Sequence, residues 1–362
     1  MSDAATAKPA PTAPVTKPAE PKQIAEVKTT RQITASRFSP DGFILAAVGF
    51  DSVVWRWRLT GNDFAPMPAI TGHGGWATAL VFHAKEPRLY TSDSWGMLRC
   101  QTYAEDESKT VWHQDKAHDG WLRQIALSPD GTLLATCGHD RFVRVWQSTD
   151  GKLVSELQFP EDIFAVVFQP DGKAIVCGDM RGKLDVWDFA AKKSLRTLDA
   201  AVLYKLDRLQ DIPGLRNLTF LDGGKTLAAS GTTPQNGATP QSIPTVVFFD
   251  YATGKQSRIF THGANKEGYI HDLVPHPAGY LMAATSGSPG SGMLMLFRAE
   301  EKEPFHVNTK MANCHSIALH PDGKRFVITS TNRDSNGNGR RLTKDGDYAN
   351  NSSPLHWFEL PG

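Results

Sequence analysis

The sequence predicts an all-β fold, a seven-bladed β-propeller. Three observations carry that expectation: a turn motif recurs along the chain, a β-rich run flanks each turn, and about four short strands separate one turn from the next.

The turn appears as SRFSPDG at 36–42, IALSPDG at 125–131, VVFQPDG at 166–172, LTFLDGG at 218–224, LVPHPAG at 273–279 and IALHPDG at 317–323. A weaker seventh, LVFHAKEPR, covers 80–88. Proline presets φ for the second turn position and Asp and Gly accept the remaining dihedrals, so each copy marks a hairpin. In the clearest unit, LLATCGHD, FVRVWQ and KLVSELQF follow the turn as three further strand candidates. Units of roughly 40 to 50 residues holding four strands each cannot bury their faces alone, so they stack radially. The last unit offers HSIALHP, RFVITST and PLHWFEL, one strand short, while QIAEVKTT at 23–30 precedes the first turn without a sheet of its own. It is expected to supply the outer strand of blade 7 and so close the ring.

These segments resemble the WD-repeat family through GH at 72–73, AH at 117–118, VWQ at 145–147 and VWD at 186–188, over about residues 22–362. The resemblance implies a hydrogen-bonded structural tetrad of His, Ser or Thr, Asp and Trp, whose matching positions are His118, Thr136, Asp140 and Trp146. A nucleophilic reading of Thr136 beside a histidine base is the alternative, and the repeat accounts for the same four residues without it. Elsewhere the tetrad decays. Blade 1 keeps Asp51 and Trp57 beside Ala47 and Thr29, and blade 2 keeps His73 and Thr91 beside Trp95 and Gln101. Blade 4 keeps Trp187, while Phe249, Phe297 and Phe358 take the Trp position in blades 5, 6 and 7.

Composition narrows the function. With 39 Lys+Arg against 38 Asp+Glu in 362 residues, bulk charge implies neither nucleic acid nor an acidic membrane surface. Cys100, Cys137, Cys177 and Cys314 form no C-x-x-C pair, so buried reduced thiols are expected rather than a zinc site or disulfides, and no cofactor is implied. No apolar run has the length of a membrane span or of a secretory signal core, which makes a cytoplasmic location the expectation. Residues 1–21, rich in Ala, Pro and Lys, read as a disordered tail outside the propeller of 22–362. GGKT at 223–226 lacks the earlier glycine of a phosphate loop and reads as a hairpin turn. NLT at 217 and NSS at 351 are glycosylation patterns only.

DSNGNG at 334–339 fits the start of a calcium loop, with Asp334, Asn336, Asn338 and Asp345 as candidate ligands, though the twelfth position is not Glu. A hairpin insertion is the alternative.

Two functions stay open: a non-catalytic protein-interaction scaffold, or an enzyme or small-ligand or metal-binding propeller using the central channel mouth. Insertions at 201–214, 231–243, 287–292 and 332–352 fall on connections that share one face. Aligning the repeats puts Thr34, Thr78, Arg123, Phe164, Arg216, His271 and His315 at equivalent positions by the mouth on that face. With Trp76, Trp121 and Tyr269 nearby, a basic, aromatic rim is expected, suited to an acidic or phosphorylated segment of a protein partner. Alternatively these cations pair with Asp119, Asp272 or loop carboxylates.

Overall fold

The computed structural model describes residues 20–236, 241–288, 290–331 and 353–360. Seven four-stranded antiparallel sheets make up the described chain, with one further two-stranded hairpin and two short 3-10 turns, so the predicted seven-bladed propeller is what forms. In blade 3 the strands run Leu122–Leu127, Leu133–Gly138, Phe142–Gln147 and Leu153–Gln158 from the channel outward.

The Pro-Asp-Gly chemistry acts locally. Gly131 N–H donates to the Ser128 carbonyl at 2.9 Å, and the Asp130 carboxylate accepts the Thr132 N–H at 3.0 Å. Gly131 has φ +83°, a left-handed conformation that costs a residue with a Cβ and costs glycine nothing. Asp171 and Asp322 make the same bond to Lys173 and Lys324. GGKT is likewise a turn, with Asp222–Gly224 joining Leu215–Leu221 to Thr226–Asn236.

Middle strands are covered on both faces, so the in-out alternation of a half-buried strand vanishes. Ile44–Gly49, Tyr280–Ser286 and Gly292–Phe297 are buried at every residue, whereas the outer strand Lys193–Asp199 buries one. The core is accordingly divided into pieces that bridge neighbouring blades. Ile163, Val166 and Phe168 of blade 4 pack with Val143, Val145 and Leu157 of blade 3, and Ala318, Val327 and Trp357 of blade 7 with Ile33, Leu45 and Trp57 of blade 1.

Ring closure follows the expectation. Lys22–Val27 pairs antiparallel with Leu355–Glu359, with Gln23 opposite Phe358 and Val27 opposite Leu355. Thr29 Oγ1 donates to the Ser353 carbonyl at 2.9 Å and Ile33 N–H to Ser353 Oγ at 2.8 Å, tying the first segment to the last.

Two expected loop insertions are instead ordered β-structure. Residues 201–214 fold into a 3-10 turn, Ala201–Leu203, and a hairpin, Tyr204–Asp207 with Gln210–Pro213. Its two turn residues, Arg208 and Leu209, both have positive φ, the pair of conformations a two-residue hairpin requires. Residues 231–236 and 241–243 continue the middle strands of blade 5, which reach 11 and 10 residues. Lys205 Nζ donates to the Gln235 carbonyl and joins the two extensions. Asp334, Asn336, Asn338 and Asp345, the 332–352 insertion and most of the 1–21 tail lie outside the described residues.

Candidate functional site at the channel mouth

Six of the seven aligned mouth positions share a backbone feature. The innermost strands shift register between Ile33 and Ala35, Ala77 and Ala79, Leu122 and Gln124, Ile163 and Ala165, Leu215 and Asn217, and Ile270 and Asp272. The residue left over in each shift is Thr34, Thr78, Arg123, Phe164, Arg216 or His271. A bulge re-aims one side chain out of the pleat. Together with His315, which precedes the inner strand Ser316–Leu319 of blade 7, these side chains line one cavity of about 450 Å³.

In blades 3, 5 and 6 the residue after the bulge latches its blade to the next. Gln124 Oε1 accepts the Val166 N–H at 2.7 Å, Asn217 Nδ2 donates to the His271 carbonyl at 2.9 Å, and Asp272 accepts the Ile317 N–H at 3.0 Å.

The cavity wall is chemically divided. On one side Phe50, Trp76 and Trp121 stack edge to face at 5.0 and 5.9 Å, each more than a third exposed. On the other, Arg123 lies 4.1 Å and Arg216 5.4 Å from the Phe164 ring centre, and Arg216 sits 4.2 Å over Tyr269. Arg123 is 3.6 Å from Asp162, and Asp272 binds Arg37 at 2.8 Å. Burial lowers the Arg216 guanidinium to about 10, with repulsion from Arg123 adding to it, and it stays cationic at neutral pH.

The histidines require a correction. His271 and His315 were expected to contribute to a basic rim. Burial holds His315 down at about 4 and His271 well below its ordinary value, helped there by His315, 5.0 Å away, and by Arg216. Both are neutral at physiological pH, so positive charge at the mouth belongs to the arginines. Asp119 and Asp272 pair with neither Arg123 nor Arg216: the Asp119 N–H caps Asp140, and Arg123 faces Asp162.

In blade 3, His118 Nδ1 is 2.8 Å from Asp140, His118 Nε2 is 2.8 Å from Thr136 Oγ1, and Trp146 Nε1 donates to that oxygen at 2.9 Å. Arg144 adds a 2.7 Å ion pair to Asp140. Every polar atom of Thr136 is consumed by neighbours, and burial lowers the His118 pKa against the pull of Asp140.

A WD domain, G-beta repeat profile matches residues 109–147, from the outer strand of blade 2 through the third strand of blade 3. That one-strand offset between sequence repeat and blade is the one the ring closure also shows. The small ribosomal subunit protein RACK1 of Drosophila melanogaster is 27% identical over 160 residues, 44% of this chain and 49% of that protein. Periodic tryptophan protein 2 of Arabidopsis thaliana is 24% identical over 202 residues, 52% of this chain and 20% of that protein.

The matched repeat and the seven-bladed ring together support a WD-repeat β-propeller family.

An uncharacterized WD repeat-containing protein of Synechocystis is 30% identical over 159 residues, 40% of this chain and 41% of that protein. The propeller spans about half or less of the length of these relatives.

Strand register now places each tetrad equivalent. Gln101, Trp146, Trp187, Phe249, Phe297 and Phe358 oppose Leu89, Leu134, Ile175, Leu227, Leu281 and Phe326 at one position of the third strand. In blade 2 the acid is Asp93, not the position assigned to Trp95. Asp93 lies 3.2 Å from His73 Nδ1, and Gln101 Nε2 replaces the indole by donating to Thr91 at 3.0 Å. Trp95 is left 69% exposed. In blade 1 Trp57 holds this same register position, opposite Leu45, and the neighbouring Trp55 donates to Asp51 at 2.8 Å. Sequence reasoning also missed Phe50, Arg37 and Asp162. Phe50 carried a usable signal, an aromatic residue in a hairpin turn where polar residues are the rule.

Proposed function

We propose that this propeller is a non-catalytic scaffold that holds a protein partner at the mouth of its channel, engaging an acidic or phosphorylated segment. The carrying observation is the convergence of the bulged inner-strand residues on one cavity edged by exposed Phe50, Trp76 and Trp121. Exposed aromatic side chains beside a recess, with arginine below, are what protein interfaces concentrate. The name of the Drosophila relative makes it part of a larger assembly, the small ribosomal subunit, which agrees with a role in assemblies. Asp140, the acid beside the buried His118, is itself occupied by Arg144, which leaves Thr136 no free base and favours a structural role for the tetrad.

The test compares proteins retained by the immobilised full chain and by a Trp76→Ala/Trp121→Ala variant. Loss of a retained protein at an unchanged melting temperature is expected. An identical retained set overturns the reading.

A further inference from the structure

The charges at the mouth are unequally compensated. Arg37 is clasped by Asp272 through both terminal nitrogens, at 2.8 and 3.2 Å. Arg123 faces Asp162, a carboxylate already held by His139 at 2.6 Å. Arg216 has no carboxylate partner among the described residues: it donates to the carbonyls of Pro213 and Leu215 at 3.1 and 2.8 Å and otherwise meets the faces of Tyr269 and Phe164. A recessed cation without a counter-charge is held at a cost to stability, and an anion entering the recess would recover it. Phe164 stacks against both guanidinium groups and so pre-orients two planar donors toward the same space. Across the cavity the Phe50, Trp76 and Trp121 wall is apolar and open.

We infer that the cavity receives one anionic side chain, a phosphate or a carboxylate, of an extended partner segment, with Arg216 and Arg123 binding the anion and Trp76 and Trp121 holding an apolar group beside it. This deepens the partner-binding reading and rests on it. The division of the wall fixes the order of the ligand: the charge lies toward blades 3 to 5 and the apolar group toward blades 1 to 3. A neutral ligand would leave Arg216 unpaired, and an isolated anion would leave the aromatic wall uncovered.

The experiment titrates the full chain with phenyl phosphate, phenylacetate, inorganic phosphate and benzyl alcohol, read by calorimetry and tryptophan fluorescence. At least one of the two aromatic anions is expected to bind saturably at millimolar concentration, more tightly than inorganic phosphate, weakening as salt is added, while benzyl alcohol does not bind. Preference for phenyl phosphate assigns a phosphorylated segment, and preference for phenylacetate an Asp- or Glu-bearing one. Arg216→Met is expected to abolish the response with a melting temperature equal to or above that of the parent, an outcome a merely structural arginine would not produce. Should that variant fail to fold, Arg216→Lys decides, with an expected loss of tenfold or more because the planar fork is gone. No saturable response to either anion, or an unchanged response in the variant that folds, overturns the inference. Partner release by Trp76→Ala/Trp121→Ala but not by Arg216→Met would overturn the anion assignment and leave the partner-binding face standing.

Discussion

Trp146 Nε1 donates to Thr136 Oγ1 at 2.9 Å, and that oxygen lies 2.8 Å from His118 Nε2. With Asp140 accepting from Nδ1–H, the ring accepts at Nε2, so the hydrogen bonds run in one direction: Trp to Thr to His to Asp. Trp146→Phe should therefore leave Thr136 short of a donor and cost about 1 to 3 kcal/mol in equilibrium denaturation.

Trp187 occupies the same register position in blade 4, but Cys177 stands where blade 3 has Thr136, and the buried Trp187 Nε1 has no hydrogen-bond partner among the described residues. Trp187→Phe removes an unsatisfied donor rather than a bond. Its measured loss of stability should be clearly smaller than that of Trp146→Phe. Equal losses would show that ring packing, not the indole N–H, dominates at both sites.

Deleting residues 1–21 leaves the strand Lys22–Val27 in place, whereas deleting 1–31 removes it together with the Thr29 bond to Ser353. The longer truncation should lower the melting temperature and expose the edge of Leu355–Glu359 to association, visible by light scattering. The shorter should do neither.

Acid should destabilise the protein by forcing protons onto its buried histidines. Burial lowers the pKa of His118, His271, His276 and His315, the last to about 4. His276 shows the geometry: its Nδ1 accepts the Ala278 N–H at 3.1 Å while Nε2 meets the Gly323 carbonyl at 2.7 Å, an arrangement that needs a neutral ring. Because these folded-state values are depressed, the unfolded chain takes up protons first. Stability should be full above about 6.5 and fall as the pH drops toward about 4. Denaturation curves across this range check it, and His271→Gln/His315→Gln should flatten the slope.

The cysteines should be silent in the native state. All four are buried and free, and burial pushes the thiols of Cys100, Cys137 and Cys314 up to about 12 and that of Cys177 well above its ordinary value. A thiol reagent at neutral pH should modify none until denaturant is added, then all four.

What the sequence by itself determined is whatever consecutive residues can specify. The Pro-Asp-Gly turns write their own hydrogen bonds, as Asp130 does to Thr132, and their repetition dictates the blade count and the missing strand that residues 22–27 supply. Repeat alignment likewise brought Thr34, Thr78, Arg123, Phe164, Arg216, His271 and His315 to one position, which the fold makes the lining of one cavity. Only the tertiary structure decided which of these carry charge and which of the charged ones meet a carboxylate among the described residues. Asp162 reaches Arg123 from blade 4 and Asp272 reaches Arg37 across the ring closure, so the pairing that leaves Arg216 without a carboxylate among the described residues depends on residues far apart in the chain. Desolvation, which neutralises His271 and His315, is a property of everything that surrounds a side chain and has no local spelling. Asp93 shows the same limit at short range. It takes the role that spacing assigned to Trp95 because backbone register, not residue count, places the carboxylate against His73.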